Sequence, residues 1–412
     1  MIGSSSPISP IKKLAGLFLI GLLFLTQMAG AAPQTTEQKV YFPIMAKPYA
    51  ADFELPTEVL PAPQIFAQAN PNFNQIATDL QQEGLKLTYN KIGFHMGPAG
   101  NAVGLTAWMQ SLDTAGVPFF LKSVDDAGAI YEAQEMMKAS GVPHTLVYRR
   151  SGLGYDLPDY NVSPEEAAVG HWARHLAVFP PELDKELVWL ETINEVDKNR
   201  SEWLARFALK TAQLAIRDGY KWAAFGWSAG EPENSDWSGP EMLEFLRYAA
   251  DRPEQIAIAL HEYSYTRDDI GRLYPYLLGR FQQLFHICDT HGIERPTILI
   301  TEWGWEYQNI PDKESAMADI RWAARLYAAY PEVKGAAVWY LGGNFGDVHN
   351  QTQRLITPLK EYSLTHYFGI TPGKGKIDQS VLAPAVADRN RLLFESDPFR
   401  AQVHAITIAN QR

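Results

Sequence analysis

Two glutamates in this sequence stand where an apolar run ends. Glu195 closes LVWLETINE, which begins at Leu187, and Glu302 lies in TILITEWGW, which begins at Thr297. Two facing carboxyl groups can cleave a glycosidic bond, because one protonates the leaving oxygen while the other, ionised, attacks the anomeric carbon. The amide of Asn194 could bind the 2-hydroxyl of a sugar, a contact that strengthens as positive charge develops on the ring. This chemistry requires elements that bring the two glutamates together.

The chain from about residue 90 alternates apolar β-type runs with amphipathic helical segments, which is typical of a parallel sheet covered by helices. Eight such runs occur: KIGFHMGPAG from Lys91, PFFLKSVDD from Pro118, HTLVYRRSG from His144, LVWLETINE from Leu187, KWAAFGWSAG from Lys221, QIAIALHEYSY from Gln255, TILITEWGW from Thr297 and VKGAAVWYLGG from Val333. Eight βα units in roughly 270 residues predict an α/β fold, a (β/α)8 TIM barrel. The alternative is a doubly wound open sheet, but no G-x-G-x-x-G follows the first strand.

In such a barrel the chemistry lies at the C-terminal ends of the strands. Those ends carry many polar and aromatic residues, among them His95, Asp125, Asp126, Arg149, Arg150, Trp227, Glu231, His261, Trp303, Trp305 and Trp339. Glu195 on the fourth strand and Glu302 on the seventh are expected to face each other across the mouth. On the sixth strand, period-2 alternation predicts that His261 and Tyr263 face the lumen and that Glu262 points to the helices.

The Asn-Glu pair on strand four, the element Thr301-Glu302-Trp303-Gly304 on strand seven and Trp339 on strand eight resemble the motifs of glycoside hydrolase clan A, over about residues 90 to 365. The resemblance implies a retaining enzyme of the cellulase or β-glycanase type that cleaves β-linked glycans by double displacement. Glu195 would then be the general acid/base and Glu302 the nucleophile.

The same resemblance implies further roles around the two glutamates. The His-x-Tyr element implies that Tyr263 hydrogen-bonds the nucleophile and that His261 lies in the substrate site, and the strand-eight aromatic implies that Trp339 lies under the sugar whose bond is cut. An arginine beside the nucleophile is a further match, but the pattern does not choose between Arg149 and Arg150. Glu191 and Asp197 match an extended form of the Asn-Glu motif, in which Val196 stands where many members have proline.

Several of these residues also have a structural interpretation. His95 could bond a sugar hydroxyl or close the barrel, and the clustering of Trp303, Trp305 and Trp227 at one end favours sugar stacking over core packing. Asp125 and Asp126 are more typical of a solvated loop or a helix cap. The single cysteine, Cys288, lies on a helical stretch and is expected to be buried and inert. Glu195 could form only a strand-end salt bridge, but the second motif at Glu302 favours catalysis.

The net charge and the placement of charged residues and histidines argue against two classes of function, nucleic-acid binding and metal-dependent hydrolysis. The formal net charge of −11 and the lack of a Lys/Arg cluster beyond the N-terminus argue against nucleic-acid binding. No metal or other cofactor is expected, because the first strand offers only His95 where a metal-dependent barrel hydrolase would usually show His-x-His. The predicted partner is a poly- or oligosaccharide, and the protein is expected to be a monomer. A non-catalytic carbohydrate-binding barrel is the alternative, although such a protein would not need both carboxylates.

The chain outside the predicted barrel divides into three further parts. Residues 1–32 are predicted to be a signal peptide, because two lysines precede the apolar run 14–30 and alanines stand at 29, 31 and 32. This predicts a secreted protein without membrane contact after cleavage, and an uncleaved N-terminal membrane anchor is the alternative. Residues 33–70 are rich in proline and predict a tether or a wrapping arm. The barrel is assigned to 71–370, and 371–412 to a C-terminal extension that packs on it.

Overall fold

The computed structural model describes residues 63–267 and 270–378. The predicted signal peptide, most of the proline-rich segment and the chain beyond residue 378 lie outside these ranges. The strands, in chain order, are β1 (Gln64–Ala67), β2 (Lys86–Thr88), β3 (Ile92–Met96), β4 (Phe120–Val124), β5 (Thr145–Arg149), β6 (Val188–Glu191), β7 (Lys221–Trp227), β8 (Ile256–Tyr263), β9 (Thr297–Gly304), β10 (Val333–Val338) and β11 (His366–Ile370).

Strands β3 to β10 run parallel and close into a barrel, in which β10 pairs with β3. Helices follow the strands and cover the barrel: α1 (Phe73–Gln82), α2 (Leu105–Thr114), α3 (Gly128–Ser140), α4 (Pro164–Leu176), α5 (Ser201–Asp218), α6 (Pro240–Ala250), α7 (Phe281–Thr290), α8 (Lys313–Ala328), α9 (Val348–Gln353) and α10 (Ile356–Thr365). Each of the eight predicted runs contains one barrel strand, so the predicted (β/α)8 TIM barrel is confirmed.

Seven of the eight barrel strands each contribute one or two inward-facing side chains to the barrel interior. This inner cluster consists of Phe120, Val147, Trp189, Ala223, Ala257, Ala259, Leu299 and Ala337. Side chains on a strand alternate between its two faces, so the next inward positions, towards the C-terminal ends, are Lys122, Arg149 and Glu191. Three neighbouring strands therefore place buried charges directly above an apolar floor.

The alternation also explains the outward residue of the sixth barrel strand. Glu262 is fully buried between the barrel and its helices, where it accepts hydrogen bonds from the amides of Gly279 and Arg280 and from the Tyr327 hydroxyl. Burial raises the pKa of Glu262 to about 7, although these donors favour the charged form. As predicted, Glu262 points away from the lumen, and it anchors the segment that leads into α7.

A small antiparallel sheet that the sequence analysis did not predict lies outside the barrel. Its strand order is β1-β11-β2, so β1, from the last part of the predicted arm, pairs with β11 from the end of the barrel segment. The sheet lies at the N-terminal end of the barrel, because Lys86 of β2 and Ile370 of β11 share a cavity of about 310 Å³ with Lys91, Thr145 and Lys221 at the start of β3, β5 and β7.

The first residues of the predicted C-terminal extension contact the barrel. The Gly375 carbonyl accepts a hydrogen bond from Arg295 at 2.7 Å, and the Lys376 carbonyl accepts one from the Tyr330 hydroxyl at 2.7 Å. Cys288 is buried on α7, and burial raises the pKa of its thiol to about 12. Among the described helices, none combines the length and apolar character needed to cross a membrane.

Two buried histidines on α4 should make the protein less stable in mild acid. The His171 and His175 rings lie 2.7 Å from the Thr192 carbonyl and 3.1 Å from the Tyr155 carbonyl, and burial lowers their pKa values to about 4 and about 3. Both are neutral in the folded protein at pH 5.5, whereas the unfolded chain, with a usual histidine pKa near 6.5, takes up protons there. Stability is thus fully present above pH 6.5 and is lost as the pH falls towards 4. We expect the free energy of unfolding to fall by about 3 kcal/mol between pH 7.5 and 5.5 from these two groups.

Urea denaturation at the two pH values measures this loss. A chain carrying His171→Gln and His175→Gln keeps a side-chain N–H that can reach each carbonyl but no longer titrates. Between pH 7.5 and 5.5, the free energy of unfolding of this variant should fall by about 3 kcal/mol less than that of the parent. An equal pH dependence in the parent and the double variant would contradict the assignment.

Candidate active site

A β-bulge in β9 points Glu302 into the barrel mouth. Ile300 pairs with Leu260 of β8, but the next pair joins His261 to Glu302, and the pairing with β10 likewise passes from Ile300 to Trp303 while β10 advances two residues. β9 therefore holds one extra residue at this level, next to Thr301. A bulge re-aims the side chains that follow it, and strict alternation from Leu299 would have turned Glu302 towards the helices.

A second bulge supports the chain at Glu195. In β7, the four residues from Ala224 to Trp227 span only three residues of β8, Ile258 to Leu260, and this stretch includes Gly226 at φ 55°. The Gly226 carbonyl accepts a hydrogen bond from the Glu195 amide at 2.8 Å. Glu195 itself has a φ of 46°, the left-handed region that non-glycine residues rarely adopt. Strained backbone of this kind is concentrated at functional sites, where surrounding contacts hold it.

The carboxylate of Glu302 is contacted through both oxygens. Oε2 accepts a hydrogen bond from the Tyr263 hydroxyl at 2.7 Å, and Oε1 lies 3.6 Å from Lys122 Nζ and 4.0 Å from Arg149 Nη2. Burial and the charge on Glu302 raise the pKa of Tyr263, so its hydroxyl keeps the proton that it donates. Burial alone would raise the pKa of Glu302, but His261, Lys122 and Arg149 outweigh it and hold this pKa below its usual range. Glu302 is therefore ionised at neutral pH.

His261 stands between the two glutamates. Its Nδ1 lies 3.4 Å from Glu195 Oε1 and 3.6 Å from Glu302 Oε2, so a single imidazole nitrogen contacts both carboxylates. Burial opposes ionisation of Glu195, yet hydrogen bonds from His261 and Ser228 hold its pKa below its usual range as well. In the free site Glu195 is thus ionised. Its predicted role as general acid requires that bound substrate raise the pKa of Glu195.

Asp156, which the sequence analysis missed, organises two of the predicted residues. Its Oδ1 pairs with Arg149 Nη1 at 2.5 Å, and its backbone carbonyl accepts a hydrogen bond from the backbone amide of Asn194 at 2.8 Å. Arg149 is buried and reaches the mouth, whereas Arg150 is exposed and pairs with Asp125 at 3.4 Å. The structure therefore selects Arg149 as the arginine near Glu302.

Asp125 and Asp126 serve the loops, which favours their structural interpretation. Asp125 accepts from the Ser151 amide at 2.8 Å, and Asp126 accepts from the Gly128 amide at 2.9 Å, at the first residue of α3. Asp156 and Lys122 could have been suspected from their sequence positions, since Lys122 interrupts an apolar strand and Asp156 follows β5, the third strand of the barrel. The pattern alone did not show their partners.

Trp339 is the tryptophan that offers an accessible aromatic surface in the mouth. It is half-buried, and its ring lies 6.5 Å from Tyr263, 5.7 Å from Tyr307 and 5.0 Å from Phe345, measured between ring centroids. The position beside Tyr263, and hence beside Glu302, fits a platform for a sugar ring.

The other predicted stacking tryptophans are core residues, and that expectation is corrected. Trp303 and Trp227 are 0% exposed and Trp305 is 2% exposed, so no ring face is left for a sugar. The bulge in β9 turns Trp303 outward, where it packs edge-on against Trp305. The Trp305 indole N–H donates to Asp319 on α8 at 2.6 Å. Their clustering at one end of the barrel reflects packing between strands and helices.

Several side chains of the mouth hold buried polar atoms that lack a hydrogen-bond partner among residues 63–267 and 270–378, and four of them could contact a ligand. The atoms are both ring nitrogens of His95, Nε2 of His261, Oδ1 of Asn194 and Nε of Arg149. Burial, together with Lys122, Arg149 and His261, holds the pKa of His95 well below its usual range, so its ring is neutral. Buried polar atoms are rarely left unpaired, and such a group in one mouth suits a ligand rich in hydroxyls.

Substituting Gly226 should disturb the backbone that supports Glu195. A Cβ there would lie 2.9 Å from Glu191 Oε1 and 3.0 Å from the Ile193 carbonyl oxygen, in addition to the strain of its positive φ. We expect Gly226→Ala to lower the free energy of unfolding by about 3 kcal/mol or more and to displace Glu195.

Gly141→Ala is the matched control, because Gly141 has a φ of 77° and a Cβ added there would meet no atom within 4 Å. It should cost about 1 kcal/mol. Thermal melts compare the two, and equal losses would contradict the close-approach argument.

Comparisons with known proteins give distant similarities. No family model matches the chain, and no curated protein matches it. A tri-modular GH5 (subfamily 4) endo-beta-1,4-glucanase from Bacillus licheniformis is similar with a TM-score of 0.37 and 11% identity over 67% of this chain, which spans only 59% of the glucanase chain. The YdjI aldolase from Escherichia coli K12 is similar with a TM-score of 0.33 and 10% identity, covering 74% of this chain and 98% of the aldolase. Similarities this low carry no argument about the fold or the reaction.

Proposed function

We propose that this protein is a retaining glycoside hydrolase that cleaves β-linked poly- or oligosaccharides, with Glu302 as nucleophile and Glu195 as general acid/base. The observation that carries the proposal is the contact of one His261 nitrogen with both carboxylates. Two carboxyl groups close enough to share a nitrogen fit direct attack on the sugar better than the wider gap that an inverting enzyme leaves for water.

The charges around Glu302 suit a nucleophile. His261, Lys122 and Arg149 keep it ionised. Both of its oxygens are contacted, Oε2 by the Tyr263 hydroxyl and Oε1 by the two cations. In the first step Glu302 bonds to the anomeric carbon while the leaving oxygen departs with a proton from Glu195. In the second step Glu195 takes a proton from water, which attacks the same carbon and releases Glu302.

The acid role requires that substrate binding raise the pKa of Glu195. A sugar in the mouth would displace water from this carboxylate, and desolvation disfavours its charged form. The unpaired polar atoms of His95, Asn194 and Arg149 would contact sugar hydroxyls, and Trp339 would stack on the ring that carries the scissile bond. Among the described residues no group of three or more His, Cys, Asp or Glu is placed to hold a metal ion, and the proposed steps use side chains only.

Hydrolysis of a panel of β-glycans and aryl β-glycosides tests the proposal. NMR of the first-formed product should show the β-anomer, and a mechanism-based fluorosugar should label Glu302 in a peptide map. Labelling should be absent in Glu302→Gln. Inverted product, or a label on another residue, would overturn the assignment. Binding of glycans without turnover would instead favour the carbohydrate-binding barrel.

We also propose that the chain is exported and that residues 1–32 are removed, leaving a monomer that acts outside the cytoplasm. The support is the sequence pattern alone. Intact-mass measurement on secreted material should give a chain that begins near Ala32 or Pro33. A mature chain that retains residues 14–30 would favour the membrane anchor.

A further inference from the structure

Lys122 is a buried cation that lies between two carboxylates. It projects from β4 into the lumen with 0% exposure, and its Nζ lies 2.7 Å from Glu191 Oε2 and 3.6 Å from Glu302 Oε1. An ammonium group with no access to water is stable only when it is paired. The nearer partner is Glu191, which takes no part in the reaction proposed above.

Glu191 is held in place from two further sides. It is also 0% exposed, and its Oε1 accepts a hydrogen bond from the Thr301 hydroxyl at 3.0 Å, directly before Glu302 in β9. The backbone at Gly226 closes the space beside the same oxygen, because even a Cβ there would lie 2.9 Å from it. Glu191 therefore cannot swing away from Lys122 without disturbing β7 or the bulge in β9.

Arg149, the second cation near Glu302, shows the same arrangement. Its guanidinium lies 2.5 Å from Asp156 and 4.0 Å from Glu302 Oε1. Each cation thus has a nearer carboxylate partner and faces the same oxygen of Glu302 at a longer distance. A tight ion pair would make Glu302 a weaker nucleophile, whereas the absence of any cation would favour its protonation in a buried site.

We propose that Glu191 is a positioning residue that draws Lys122 away from a tight ion pair with Glu302. Lys122 and Glu191 together then keep Glu302 both ionised and reactive. The inference rests on the proposed role of Glu302. It predicts opposite effects for the two members of the pair. Without Lys122, Glu302 loses a cation, and without the charge of Glu191, Lys122 is free to pair with Glu302.

Other groups around Glu302 must be held constant in the test. Those that face it from neighbouring elements are His95 on β3, Arg149 on β5, Glu195 after β6, and His261 and Tyr263 on β8. None of them is changed in the variants below. Lys91→Met is the matched control, because Lys91 directly precedes the barrel strand β3 but its Nζ donates to the Tyr327 and Tyr330 carbonyls instead.

The experiment follows the titration of Glu302 in protein labelled with ¹³C at the glutamate carboxyl carbons, with the resonance assigned by its loss in Glu302→Gln. The acidic limb of the rate profile on an aryl glycoside gives a second reading. In Lys122→Met the Glu302 titration should move to higher pH by about one unit or more, and in Glu191→Gln it should move to lower pH. Lys122→Arg should restore part of the shift, and Lys91→Met should leave the titration in place.

Lys122→Met leaves Glu191 buried without a cation and could prevent folding. The double variant Lys122→Met, Glu191→Gln removes both charges and should fold, with a titration nearer to that of the parent than to Lys122→Met. Shifts in the same direction for Lys122→Met and Glu191→Gln, or no shift in Glu191→Gln, would overturn the inference. The titration needs no turnover, so an absence of hydrolysis would contradict the proposed function without deciding the role of the pair.

Discussion

Replacing Glu302 with glutamine should abolish turnover while leaving glycan binding largely intact. The amide has almost the same shape as the carboxylate but cannot attack carbon, so kcat should fall by about 10⁴-fold or more. Binding through Trp339 and Asn194 does not depend on the nucleophile, which contributes mainly to the transition state. The Kd for an oligosaccharide should therefore change by less than about threefold. Initial rates on an aryl glycoside and calorimetric titration measure the two quantities.

Glu306→Gln is the matched control for this prediction. Glu306 is exposed, lies four residues beyond Glu302 and pairs with the Asn309 side chain at 2.7 Å. The same chemical change there should alter neither kcat nor Kd. A Glu302→Gln protein that retains a tenth of the parent activity would rule out Glu302 as nucleophile.

Replacing Glu195 with alanine should have an effect that depends on the leaving group. With a poor leaving group, loss of the general acid should slow the first step by about 10²- to 10⁴-fold. A dinitrophenyl glycoside needs no proton, so its first step should proceed and the glycosyl-enzyme should accumulate as a burst. The basic limb of the rate profile should also disappear for this substrate, because the limb reports deprotonation of Glu195.

Azide distinguishes the two carboxylates. In Glu195→Ala, azide should attack the trapped glycosyl-enzyme without a base, restore turnover and give a β-glycosyl azide after two inversions. In Glu302→Ala, azide can only replace the missing nucleophile and should give the α-glycosyl azide after one inversion. NMR of the two products decides between the roles. The same anomer from both variants would contradict the assignment of Glu195 and Glu302 to different steps.

The sequence was sufficient for the barrel because each strand is an apolar run bounded by helical periodicity, and eight repeats leave few alternative architectures. It was also sufficient for the inward positions of His261 and Tyr263, since β8 alternates without interruption through Ala257 and Ala259. The prediction that Tyr263 contacts Glu302 followed from resemblance, and the structure places the two in a hydrogen bond.

The features that escaped prediction arise from backbone irregularities and long-range pairing. Strict alternation cannot give the direction of both Glu302 and Trp303, because the bulge in β9 is set by its neighbours β8 and β10. The partners of Lys122, which are Glu191 and Glu302, lie on strands distant in sequence. Asp156 joins Arg149, seven residues before it, to the backbone of the more distant Asn194. The choice of Arg149 over Arg150 likewise depends on which side of β5 faces the lumen, a register that two adjacent arginines do not reveal.

The small sheet at the N-terminal end of the barrel has a mechanical consequence. Strands β1 and β11 are antiparallel, with Gln64 opposite Gly369 and Ala67 opposite His366. The chain therefore enters β1 and leaves β11 at the same end of the pair. A load applied between residues 63 and 371 would open this ladder one hydrogen bond at a time, as a zipper opens, instead of shearing all of its bonds together. The ladder between β1 and β11 would release before such a force reached the closed barrel and the geometry at its mouth.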